Sequence, residues 1–121
     1  MLDVIGIDHV QIAVPRRLEA ECLTFYRDVI GLSEIPKPEE LRERGGAWFQ
    51  VGQVQLHIGV DSEPSPRSKR HVCLLVRDLA AAKAQLSERG VAIEEESRAE
   101  GLLRFFIRDP AGNRIEIGQR I

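Results

Sequence analysis

The apolar residues of this chain change their period along its length. Residues 9–14, HVQIAV, set Val10, Ile12 and Val14 against His9, Gln11 and Ala13, the two-residue period of a strand with one buried face. The next stretch, RRLEAECLTFYRDVIG, places Leu18, Cys22, Phe25, Tyr26, Val29 and Ile30 at helical spacing and predicts one helix over 16–31. LSEI (32–35) returns to a strand, and AWFQV and VQLHIGV predict a hairpin about Gly52-Gln53. The second half runs in the same order. HVCLLV (71–76) is a strand, and RDLAAAKAQLSERG is a helix with Leu79, Ala82 and Leu86 on one stripe and Gly90 as its stop. VAIEEE (91–96) is a strand, and LRFFIR and NRIEIG flank the turn Asp109-Pro110-Ala111-Gly112.

The two halves are therefore one plan used twice. HVQIAV matches HVCLLV, and LHIG (56–59) matches IEIG (115–118). The expected architecture is α+β, two tandem βαβββ modules with curved mixed sheets in a single domain, 1–121. Module one covers about 5–60, the polar, proline-bearing DSEPSPRS (61–68) is a linker, and module two covers about 69–121. One helix covers only one face of a sheet, so the modules must pair.

The other sheet face carries the chemistry. Opposite Val54, Leu56 and Ile58 lie Gln55, His57 and Gly59; opposite Val72, Leu74 and Val76 lie His71, Cys73 and Leu75. In the last strand Ile115 and Ile117 oppose Arg114, Glu116 and Gly118. All three histidines of the chain fall on these second faces, together with Glu116. Three imidazoles and a carboxylate converging from four strands form a ligand set for one divalent transition metal: Zn, Ni, Mn, Fe or Co. Taken singly, a strand histidine is more often a hydrogen-bonded structural residue. Glu116 has its own structural alternative, an ion pair with Arg114 or Arg104. The match of His9 with His71 and of His57 with Glu116 under one repeat favours the metal.

Composition narrows the partners. The 17 Lys and Arg are scattered among 19 Asp and Glu for a net charge of −2, so no basic stripe marks a nucleic-acid binder. No apolar run is long enough to cross a bilayer, and no secretory leader opens the chain, so a cytoplasmic location is expected. Cys22 and Cys73 lack a CxxC spacing and are expected to be small buried hydrophobes.

IDHVQIAV, FYRDVIGL, HVCLLV and RDPAGNRIEIG resemble the glyoxalase / bleomycin-resistance / extradiol-dioxygenase superfamily, the vicinal oxygen chelate fold, over essentially the whole chain. The resemblance implies a cup of paired modules around a divalent metal held from the first and fourth strands of each. Here those ligands are His9, His57, His71 and Glu116. It also implies a small substrate with vicinal oxygens and lyase- or isomerase-type, enolate-stabilising chemistry with Glu116 as the catalytic base. A dioxygenase-like reaction is a variant of the same site. His57 stands where glyoxalase I has glutamate, and Arg16-Arg17 follow the first strand rather than lying within it, so the expected enzyme is not glyoxalase I itself. Trp48, Gln55, Arg104 and Phe106 are expected to line the substrate pocket, with Arg104 as an anion anchor. The competing function is a small-molecule-sequestering protein of the bleomycin-resistance type. Short relatives build each cup across a twofold axis, which implies a homodimer with shared sites.

Overall fold

Both halves fold as their periodicity predicts, each into a four-stranded sheet with its helix on the apolar face. The computed structural model describes residues 1–63, 65–66 and 68–121; Pro64 and Arg67 of the expected linker lie outside the described residues. The chain divides into two compact units, Met1–Glu63 and Pro64–Ile121.

The first unit contains β1 (His9–Val14), α1 (Glu19–Thr24), β2 (Ser33–Ile35), β3 (Ala47–Val51) and β4 (Val54–Val60), in sheet order β1-β4-β3-β2. β1 runs parallel to β4, and the other pairs are antiparallel. Val14, Cys22, Phe25, Tyr26, Phe49, Leu56 and Ile58 fill its core.

The single helix expected over 16–31 is three segments: a 3₁₀ turn at Arg16–Leu18, α1, and a π-helical turn at Phe25–Ile30. The wider turn keeps the consecutive rings of Phe25 and Tyr26 both buried, edge-on to each other at 5.3 Å. Gly31, at φ 83°, ends it by donating its N–H to the Tyr26 carbonyl. A second 3₁₀ segment, Glu39–Arg44, has no sequence signal because EELRER carries no apolar stripe.

The second unit contains β5 (His71–Leu75), α2 (Leu79–Glu88), β6 (Glu94–Ala99), β7 (Leu102–Arg108) and β8 (Arg114–Arg120), in order β5-β8-β7-β6. Asp78 caps α2, its side chain accepting from Ala81 N–H at 3.0 Å. β6 begins three residues later than its apolar start suggests. Residues 91–93 are spent leaving α2 after Gly90 (φ 78°), and a register shift between Glu94 and Ser97 follows, with Glu95 at φ 49°.

The β7–β8 turn is organised by Asp109. Its buried carboxylate accepts from Ala111 N–H, Asn113 N–H and the Asn113 side-chain amide, each at 2.9 Å. Cys22 is buried as expected. Cys73 is not: it lies on the His71 face of β5, opposite the face that buries Leu74, and the residue is exposed.

Candidate functional site

The parallel pairing of first and fourth strands places the candidate ligands. In the first unit His9 pairs in register with Gln55, so His57 stands two residues further along β4. In the second unit His71 pairs with Arg114, so Glu116 stands two residues further along β8. The same offset recurs on both sheets and sets each pair diagonally across adjacent strands, within reach of long side chains.

In the first unit the rings of His9 and His57 stack, centroids 4.2 Å apart and planes 12° from parallel. Trp48, opposite His57 on β3, stacks on the other side at 3.9 Å and 2°. His9 Nδ1 donates to Asp8 Oδ2 at 2.8 Å, leaving Nε2 as its lone-pair nitrogen. His57 is buried, and its Nε2 lies 2.9 Å from Gln55 Oε1. Burial first, then the neighbouring His9, holds the His57 imidazole below its usual range; Lys37 adds to this and Asp8 opposes it. Trp48 and Gln55 thus both contact His57.

In the second unit His71 Nε2 lies 2.9 Å from Glu116 Oε1, and Arg104 Nη1 lies 3.5 Å from Glu116 Oε2. His71 Nδ1 donates to the Lys69 carbonyl at 2.7 Å. A carbonyl only accepts, so Nδ1 carries a hydrogen and Nε2 is the nitrogen that faces Glu116. His9 and His71, equivalent in the repeat, therefore both have Nδ1 engaged and Nε2 turned to the site.

Phe106, opposite Glu116 as Trp48 is opposite His57, meets the His71 ring edge-on at 5.2 Å and carries the Arg114 guanidinium 3.6 Å above its centroid. Arg104 also donates to Ser97 Oγ at 3.2 Å. It is a partner of Glu116 here, and the structural alternative for that carboxylate is present alongside the ligand geometry. Arg114 turns instead to Glu95. Desolvation on the sheet, and then the Glu116 charge, push the Cys73 thiol up.

Each unit thus assembles two of the four candidate ligands. Among the described residues no group of three or more His, Cys, Asp or Glu side chains is gathered to hold a metal ion. Sequence reasoning missed Lys37 and Arg44. They line a cavity of about 620 Å³ in the first unit, together with His9, His57 and Trp48, and belong to a polar loop with no periodic signal.

Two βαβββ sheets of this order define a vicinal oxygen chelate protein. The sequence profile of the Glyoxalase/Bleomycin resistance protein/Dioxygenase superfamily matches residues 6–117, and the chain belongs to that superfamily. Its fold is that of a putative glyoxalase family protein from Bacillus anthracis, 40% identical with a TM-score of 0.89 over 100% of both chains. Two structures with different stated functions share the fold at lower identity. A lactoylglutathione lyase from Agrobacterium tumefaciens is 23% identical, TM-score 0.74, covering 94% of this chain and 92% of its own. An antibiotic binding protein from Streptomyces sp. CB03234 is 20% identical, TM-score 0.76, over 100% of both. No helix among the described residues is long and apolar enough to cross a membrane.

Proposed function

We propose that the protein is a divalent-metal-dependent lyase or isomerase acting on a small substrate with vicinal oxygens, with His9, His57, His71 and Glu116 as ligands. The observation that carries this reading is the recurrence of one ligand pair at one register offset in both sheets. The donor chemistry fits. Two imidazoles have Nδ1 anchored by outer acceptors, the arrangement that orients histidine ligands, and a carboxylate lies beside one of them. A divalent metal held there supplies Lewis-acid stabilisation to a substrate oxygen that gains negative charge.

The chain's own groups do the rest. Glu116, oriented by His71 on one oxygen and Arg104 near the other, is the carboxylate placed to take a proton from substrate carbon. Trp48 and Phe106 give the two sheet faces apolar floors that exclude water around the polar groups.

We also propose a homodimer in which each complete site draws on both subunits. The edge strand β1 is preceded by Leu2, Val4, Ile5 and Ile7, all strongly exposed, an apolar surface suited to a second copy.

One observation favours the sequestering alternative: Glu116 is already balanced by His71 and Arg104, so its burial does not demand a metal. Metal analysis of protein purified without an affinity tag, followed by titration with Zn²⁺, Ni²⁺ and Mn²⁺, decides between them. Stoichiometric binding supports the enzyme; no binding on titration leaves the sequestering protein.

A further inference from the structure

We infer that the first unit carries an anion-recognition point at Lys37, seconded by Arg44, and that the ligand of the His9–His57 cavity is a small molecule bearing a carboxylate or phosphate group. Its place as a substrate site rests on the proposed function; the anion point itself stands on separate observations.

The segment IPKPEELRERGG (35–46) sets Lys37 between Pro36 and Pro38, whose rings restrict the backbone on either side. Pro38 starts the Glu39–Arg44 segment, which ends on Gly45 (φ 77°) and Gly46 (φ 80°). That end is pinned: Gly46 N–H donates to Glu19 Oε2 at 2.7 Å, and a Cβ at Gly46 would overlap the Ile58 carbonyl oxygen. Lys37 Nζ donates to the Gly45 carbonyl, so the loop closes on itself and holds the ammonium at the cavity wall.

Lys37 is half-buried, its stem covered by the loop while its ammonium faces the cavity. Among the described residues no carboxylate forms an ion pair with Lys37 or Arg44. The acid in the cavity lining, Asp8, is engaged by His9. The cavity therefore has two cations, one carboxylate already bonded, and an indole floor. An ammonium with one donor used retains two for an incoming oxyanion, and Arg44 can add a second contact. Arg104 and Arg114 of the second unit differ, since Arg104 is held by Glu116 and Ser97, and Arg114 by Glu95. At about 620 Å³ the cavity suits a small molecule.

Trp48 is the chain's one tryptophan and lies in the same lining, so its emission reports occupancy. The test titrates chelator-treated, full-length protein at constant ionic strength with oxalate, inorganic phosphate and neutral dihydroxyacetone. Oxalate or phosphate should give a saturable change, and whichever binds tighter identifies the anion. Lys37→Met should raise Kd at least about tenfold, the loss expected for one charge-assisted hydrogen bond, while Lys37→Arg should stay within about threefold. Arg44→Gln, at an exposed position where folding is not in question, should also weaken binding. Equal anion affinity in wild type and both charge-removing variants overturns the inference, as does dihydroxyacetone binding as tightly as the anions. Because the readout is metal-free, this inference and the metal reading fail separately.

Discussion

Trp48 lies flat on His57, ring centroids 3.9 Å apart and planes 2° from parallel, with His9 stacked on the imidazole's other face. Charging His57 therefore places an imidazolium directly against the one indole of the chain. Burial and His9 both disfavour that charge, so a pH titration of Trp48 emission in metal-free protein should have its midpoint below the ordinary histidine value of about 6.5. His9→Ala removes the second cause and should move the midpoint up, though not fully, since burial remains. The sign carries into stability. Between the depressed folded value and about 6.5 the unfolded chain binds more protons, so stability falls as pH drops through that window. A midpoint at or above 6.5 sinks this account.

Gly46 and Gly59 sit within one unit and should tolerate alanine very differently. At Gly46 the backbone has φ 80° and a Cβ would overlap the Ile58 carbonyl, neither of which can give. Gly46→Ala should cost at least about 2 kcal/mol. At Gly59 a Cβ meets only the terminal amide of exposed Gln11, which can swing away. Gly59→Ala should cost less than about 1 kcal/mol. Denaturant melts of the two variants check the contrast, and equal losses would refute it.

Much of this architecture was legible because strand alternation and the repeat are strong signals. Val14, Leu56, Ile58, Leu74, Ile115 and Ile117 are buried on the faces their spacing assigns. The misplaced features share a cause: they depend on neighbours that no local pattern encodes. The π turn answers to two consecutive rings packing on one sheet, and β6 slips because α2 uses up its apolar start. Lys37 and Arg44 lie in a loop brought to the cavity by Glu19 and a pair of glycines, contacts visible only after folding.

Metal affinity should depend on His9 more than stability does. The His9 side chain is 46% exposed, so its removal strips little packing. His9→Ala should leave the melting temperature within a few degrees of wild type and lower affinity for Zn²⁺ or Ni²⁺ at least about tenfold, the scale on which even outer partners of metal ligands act. His57→Ala should lower affinity comparably while also costing stability, because it empties the space between Trp48 and His9. Calorimetric titration against unchanged circular dichroism reads both. Wild-type affinity in either variant removes that histidine from the ligand set.

The proposed dimer with shared sites makes a prediction that a self-contained monomer does not. If each site takes His9 and His57 from one subunit and His71 and Glu116 from the other, His9→Ala and Glu116→Ala homodimers each have two damaged sites. Unfolding the two variants together and refolding them mixes the chains. In the mixed dimer one site carries both substitutions and the other carries neither. Metal binding should then reappear at about one site per mixed dimer, at wild-type affinity, from parents that bind weakly. His71→Ala mixed with Glu116→Ala should restore nothing. Both substitutions lie on the same half of the site, so every site in that mixture is damaged. The second mixture is the control that separates complementation from a general effect of refolding. A protein that is monomeric by light scattering, or a His9/Glu116 mixture that binds no more metal than its parents, excludes the shared site.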